Sequence, residues 1–247
     1  MRIAALYDVH GNLPALEAVL AEVEREDVDL VLVGGDVVSG PLPRESLAAL
    51  TELGERAHFI RGNGDREVVE IRDGSRRERE AGMSDPWIAD QLTDEQAAFL
   101  AGIPERAALD VDGIGPVLFC HATPRSDEEL FTRLSSDERV RAMFAGAAER
   151  VIVCGHVHVQ NDRRLDDKRI VNAGSVGMPY EEEPGAYWLL LGPDISFRRT
   201  EYDLEEAAAR IRASGWPKAE AFATENVLAM PPQAEVLEFF ERQLRGG

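Results

Sequence analysis

Cysteine is nearly absent: Cys120 and Cys154 are the only two thiols in 247 residues. They are too few for a disulfide framework, and their spacing matches no Cys-rich zinc site. Both end apolar runs, where a buried, inert thiol is expected. Positive charge is also scarce. Against 46 Asp plus Glu stand 27 Lys plus Arg, a formal net charge of −19. The chain therefore lacks the clustered basic charge on which polyanion binding draws, and a nucleic-acid polymer is not an expected partner. Any phosphorylated substrate must be held locally, by cations or a few arginines. No apolar run approaches the ~20 residues that span a bilayer, so no membrane partner is expected. The opening MRIAALYDVHGN has neither the apolar core nor the cleavage site of a signal peptide. The cytoplasm is the expected location.

What is present is a chain of 44% hydrophobic residues, long enough to bury a sizeable core. Short apolar runs at Ile3–Tyr7, Asp29–Val33 and Ala57–Ile60 read as buried strands. Between the first two, Leu13, Leu16, Val19, Leu20 and Val23 recur at helical spacing, with Asn12 as cap and Pro14 in the first turn. A second helix is expected around Arg44–Leu53. This β-α-β-α-β rhythm predicts parallel strands with right-handed crossovers.

Residues 66–104 change character. Arg66–Glu80 is densely charged and reads as an exposed helix or mobile segment; the stretch 66–84 is expected to be a solvated helix, with a lid over a cleft beside Asn63 as the alternative. Thr93 to Gln96 has the form of a capping box for a helix through Leu100. Further strands are expected at Arg106–Val111, Pro116–Cys120, Val151–Cys154, Arg163–Leu165, Arg169–Val171, Tyr187–Leu191 and Ile195–Arg199. A helix over Ser135–Ala147 would be capped through Ser135 and Glu138, and residues 203–245 read as two or three helices. With no repeat, low-complexity tract or linker, residues 1–247 are expected to form a single domain. It would carry a helical insert at about 66–104 and a helical C-terminal segment at about 203–245.

The polar residues collect at strand ends. Asp8 and His10 follow the first strand, Asp36 the second, Asn63 the third, His121 follows Pro116–Cys120, and His156 and His158 follow Val151–Cys154. Ligands of open α/β sheets bind outside the carboxyl ends of strands, so these loops can meet in one cleft. Each piece alone is ordinary turn or cap chemistry. A ligand-type side chain at one strand end after another, flanked by glycine, is not. Four of the five histidines take part, while His58 sits inside a strand pattern and reads as structural. Carboxylate, imidazole and amide oxygen without thiolate suit Mn, Fe or Zn ions rather than a structural Cys-bound zinc. Two carboxylates and four imidazoles exceed the needs of one catalytic ion. Two divalent metal ions ~3.5–4 Å apart fit the count.

Asp8-Val9-His10-Gly11-Asn12, Gly35-Asp36, Gly62-Asn63-Gly64-Asp65, His121 and Gly155-His156-Val157-His158 resemble, in order and spacing, the motifs of the calcineurin-like metallophosphoesterases. The likeness is closest to their small prokaryotic phosphodiesterase and phosphatase branch, and runs from about residue 1 to 200, including Asn172–Gly177. It implies an α/β (α+β) fold, a four-layer α-β-β-α sandwich of two mixed sheets flanked by helices. It implies that Asp8, His10 and His158 hold one metal and Asn63, His121 and His156 the other, with Asp36 bridging. Asn63, Asp36 and His121 are then the residues nearest catalysis. A metal-bound hydroxide would attack phosphorus in line, on a phosphomonoester, phosphodiester, nucleotide or dinucleoside polyphosphate.

One departure stands out. Many family members carry His after the Asn of the third motif, where it assists the leaving group; here that position is Gly64. Good leaving groups should therefore be preferred. Arg61 and Arg125 are candidate phosphate contacts, with surface ion pairs as the alternative. The competing functions are a scaffold that kept the fold but lost catalysis, a protein phosphatase, and a nuclease, which the missing basic surface disfavours.

Overall fold

A computed structural model of the chain describes residues 1–76 and 85–246. The far end of the predicted Arg66–Glu80 helix, and with it the lid alternative for that stretch, lies partly outside the described residues.

One sheet combines β1 (Ile3–Leu6), β2 (Leu30–Val33), β3 (Ala57–Phe59), β9 (Ala186–Leu191) and β10 (Ile195–Thr200) in the order β10-β9-β1-β2-β3. In it β1, β2 and β3 run parallel, and β9 and β10 pair antiparallel. The second combines β4 (Arg106–Val111), β5 (Gly115–Cys120), β6 (Val151–Cys154), β7 (Asn161–Leu165) and β8 (Lys168–Asn172) in the order β4-β5-β6-β8-β7. Here β5, β6 and β8 are parallel and the edges antiparallel. Short runs of Val, Ile and Leu buried on both faces are what such covered parallel strands require.

Strand alternation sorts these residues into three cores. Ile3, Ala5, Tyr7 and Leu32 of the first sheet meet Val117, Phe119, Val153 and Val171 of the second in the space between the sheets. Ala4, Leu6, Val31 and Val33 point the other way, onto helices α1 (Leu13–Val23), α2 (Pro43–Thr51) and α3 (Asn63–Asp73). The same core takes in α4 (Pro86–Gln91), α5 (Asp94–Gly102), α7 (Leu204–Arg212) and α8 (Ala219–Phe222). Leu118, Cys120, Ile152, Cys154 and Ile170 pack on Val140, Met143 and Phe144 of α6 (Asp137–Phe144). The result is helix, sheet, sheet, helix. Both cysteines are buried and free, and burial pushes the Cys120 thiol up to about 12 and the Cys154 thiol well above its ordinary value, which disfavours the thiolate in both. Among the described residues no helix is long and apolar enough to cross a membrane.

Two local readings change. The α6 cap is Ser136, whose hydroxyl accepts from Arg139 N at 3.3 Å. Ser135 is drawn away, accepting from Thr132 N and donating to Glu241. Helix α3 begins at Asn63, earlier than the charge pattern suggests. The Asp65 carboxylate receives the N–H groups of Gly62, Val37 and Val38 and anchors that turn to the β2 loop. The end of the chain forms α7, then α8 running into a π-helical turn at Ala223–Leu228, then α9 (Gln233–Gly246).

Candidate metal centre

The parallel strands of both sheets deliver their following loops to one place. Five of the residues singled out above hold left-handed backbone: Asp8 at φ 55°, His10 at 47°, Asp36 at 53°, His156 at 71° and His158 at 57°. L-residues avoid this region at a cost of ~1–2 kcal/mol each. Cross-loop hydrogen bonds hold them there. Asp8 N donates to Gly35 O at 3.1 Å and His10 N to Asp36 O at 2.8 Å. His156 N donates to the Asp8 carboxylate at 2.8 Å. Gly177 N donates to Asp8 O at 3.0 Å, bringing the stretch after β8 against the β1 loop. Asn12 caps α1 through Ala15 N, and its amide also donates to Gly177 O at 2.9 Å.

Two clusters result, Asp8/His10/His158 and Asp36/His121/His156, each with its donor atoms within 4.8 Å of one another. His158 Nε2 lies 3.4 Å from Asp8 Oδ1. Asp36 faces both clusters, with Oδ1 at 3.6 Å from His121 Nε2 and Oδ2 at 3.8 Å from His10 Nε2.

Backbone carbonyls fix three tautomers. His10 Nδ1 meets Ser39 O at 3.1 Å, His121 Nδ1 meets Gly34 O at 2.9 Å and His158 Nδ1 meets Met178 O at 2.8 Å. A carbonyl only accepts, so each Nδ1 carries the proton and each Nε2 turns a lone pair inward. His10 Nε2 and His158 Nε2 then face each other at 3.0 Å. Among the described residues the buried Asp8 Oδ1 has no hydrogen-bond partner. The Asn63 carboxamide lies 3.1 Å from His156 Nδ1, 3.2 Å from His121 Nε2 and 3.3 Å from Asp127 O; with its amide nitrogen on that side it donates to them, and with its oxygen there it adds another acceptor. Converging lone pairs without protons between them are what cations satisfy, and this oxygen-plus-imidazole set fits borderline divalent ions.

The charges agree. Burial alone would raise the Asp8 carboxyl, but the facing imidazoles of His158, His121 and His10 outweigh it and hold it well below the usual range. Burial lowers His10, and burial together with His121 lowers His156 to about 4. Burial would also lower His121, yet the Asp36 and Asp8 charges prevail and raise it. At pH 6.5, the ordinary midpoint of the imidazole, His10 and His156 are thus ready to ligate, while His121 must first lose its proton. Loading with Mn²⁺ at that pH should displace the proton held on His121, a contribution that shrinks as pH rises. Unbuffered pH-stat titration of the metal-free protein measures this, and release that grows with pH would contradict it.

Some expectations land elsewhere. Arg61 Nη2 pairs with Glu105 at 3.4 Å, and Arg125 Nε with Glu129 at 2.9 Å. Each holds a carboxylate on part of its guanidinium, the surface ion pair expected as the alternative. His58 stays inside β3, opposite Leu32. Other residues act as braces for which the sequence assigned no partner. Ser175 donates to Asp8 O at 2.7 Å, Asn172 to Gly155 O at 2.6 Å, and Arg66 joins α3 to the loop after β5 through Asp127 at 2.8 Å. A buried hydroxyl or amide on a glycine-rich segment was the one available signal.

Similarity to known proteins points the same way. A crystal structure of a metallophosphoesterase from Sphaerobacter thermophilus superposes with a TM-score of 0.71 at 28% identity, covering 93% of this chain and 98% of that one. A hypothetical protein from Pyrococcus horikoshii OT3 shares the fold, with a TM-score of 0.76 at 19% identity over 90% and 97% of the two chains. An uncharacterised protein of Methanocaldococcus jannaschii is 25% identical over 235 residues, 87% of this chain and 94% of its own. Residues 1–191 match the calcineurin-like phosphoesterase superfamily domain, a stretch that contains every donor described above. The chain belongs to the calcineurin-like phosphoesterase superfamily.

Proposed function

We propose that the chain is a dinuclear metal-dependent phosphoesterase acting on a small phosphorylated substrate. The observation that carries this reading is the pair of donor clusters with Asp36 facing both. Asp8, His10 and His158 would hold one divalent ion and Asn63, His121 and His156 the other, with Asp36 between them. When bound, such ions supply Lewis acidity, activating a water as nucleophile and neutralising charge on phosphoryl oxygens. The protein's part is to fix the imidazole tautomers, aim the carboxylates and keep the donors out of bulk water. Asn63 would hold the phosphate beside it, a role supported by its partial exposure at the first position of α3.

Residue 64 offers no general acid. A Cβ on Gly64 would lie 2.1 Å from Ser39 Oγ and 3.0 Å from Asp36 Oδ1, and Gly64 N already donates to Asp36 at 2.7 Å. The direction in which a side chain would leave is closed. General-acid assistance is worth roughly 10²–10⁴-fold, so substrates with poor leaving groups should fall behind by a comparable factor. With Mn²⁺ present, kcat/KM for an aryl monoester should exceed that for an alkyl monoester by about 10²-fold or more. Comparable values, with chemistry rate-limiting in both, would show that another residue supplies the proton. A dinucleoside polyphosphate, whose leaving group is also good, belongs in the same panel. Hydrolysis of none of the three by the metal-loaded protein would favour the scaffold reading.

A further inference from the structure

We propose that helix α9 walls one side of the site, so that it takes phosphomonoesters or terminal phosphates in preference to diesters with two bulky arms. This rests on the phosphoesterase reading above and names the substrate geometry that site accepts.

The clusters are covered unequally. Asp8, His10 and His158 are 0%, 3% and 5% exposed, whereas His156 and Asn63 are only partly buried. The open side is therefore the one bearing Asn63 and His156. On the other side the ring of Tyr180 stacks on His158 with centroids 5.1 Å apart and planes 22° from parallel. Tyr180 N donates to His158 O at 3.0 Å, which fixes the backbone from which that ring projects. Phe240 of α9 lies against Tyr180, 6.3 Å between centroids.

Helix α9 is tied at two points two turns apart. Gln233 Nε2 donates to Glu181 Oε2 at 2.7 Å, next to Tyr180. The Glu241 carboxylate accepts from Thr132 Oγ1 and Ser135 Oγ, both at 2.6 Å, in the segment following His121. The helix thus joins a loop that covers a donor of one cluster to a segment that follows a donor of the other. Its apolar attachment is slight, since Leu237 is its one buried hydrophobic among the described side chains and Phe239 is 49% exposed. A wall held chiefly by polar ties is adjustable at those ties.

In-line displacement places the attacking oxygen and the leaving group on opposite sides of phosphorus. A monoester has one organic arm, which departs through the open side. A diester keeps a second arm on a remaining oxygen, and on the His158 side that arm meets the Tyr180 ring backed by Phe240.

The test uses the full-length chain, its Glu241→Ala and Gln233→Ala variants, and Phe240→Ala as a variant that thins the wall without cutting a tie. With Mn²⁺, the parent should hydrolyse para-nitrophenyl phosphate faster than bis-para-nitrophenyl phosphate. Each variant should raise the diester-to-monoester ratio of kcat/KM, by about tenfold for loss of the charged Glu241 tie, with monoester turnover little changed. Without reference to activity, EDTA should strip Mn²⁺ faster from each variant, and amide exchange should rise in α9 and around Tyr180. A parent that prefers the diester overturns the proposal. So do unchanged ratios and stripping rates in variants whose α9 exchange has risen. A parent that hydrolyses neither ester overturns the phosphoesterase reading instead, and the stripping rates then decide whether α9 covers the donors.

Discussion

Replacing Asp36 by Asn is expected to lower kcat/KM for para-nitrophenyl phosphate by about 10³-fold or more while the protein stays folded. Removing a shared ligand forfeits several kcal/mol of charge stabilisation, and each 1.36 kcal/mol is a factor of ~10 in rate. Asp36 is where the effect should be largest, because its two oxygens face different clusters, 3.6 Å from His121 Nε2 and 3.8 Å from His10 Nε2. The amide is nearly isosteric and can still accept from Gly64 N, so a stability loss should not masquerade as the effect. Activity, Tm and metal content by elemental analysis should be read together. His121→Ala belongs beside it, since it removes a lone pair from one cluster only. Near wild-type rates in both variants, at full metal content, would remove the site assignment.

Gly177→Ala is expected to destabilise the fold by about 3 kcal/mol or more, the upper end of what overpacking costs. A Cβ there would lie 1.8 Å from Val9 O, and both partners are held. Gly177 N donates to Asp8 O, and Gly177 O accepts from the Asn12 amide. Neither backbone has room to retreat. At roughly 2–4 °C per kcal/mol for a chain of this size, Tm should fall by about 6–12 °C. Metal affinity should fall with it, because the displaced loop carries Asp8 and His10. Differential scanning calorimetry of the metal-free and Mn²⁺-loaded forms separates the two losses. A fall under about 2 °C would mean that the loop repacks.

The strands and the donors were legible in the sequence because each rests on a local signal. Leu30–Val33 is an apolar run with one place to go, and Asp36 is the first charged residue after it. The histidines follow strands in the same way. Ser135 was misread as a cap because two adjacent serines are indistinguishable until Glu241, far along the chain, claims one of them. The start of α3 was hidden for a similar reason, since its anchor, Asp65, is held by N–H groups of the β2 loop. That Arg61 and Arg125 stand beside Glu105 and Glu129 depends on chain folding that no local pattern in the sequence reveals. The Tyr180 wall depends on an aromatic pair 60 residues apart, Tyr180 and Phe240, which no periodicity announces. Glycine 64 was conspicuous from the start, but that Ser39 closes its side-chain direction needed coordinates.

The left-handed backbone at Asp8, His10, Asp36, His156 and His158 sets durability against chemistry within the same few loops. At those positions glycine would relieve the backbone by ~1–2 kcal/mol each, while giving up the hydrogen bonds their side chains make. A selection for heat resistance alone would drift toward glycine there and erase the donors one at a time. Keeping all five maintains strain that the fold alone does not require. The converse holds for a descendant that retired from catalysis, where the first donors to go should be His10 and His158, whose departure relaxes the backbone while the β-sheets stand unchanged.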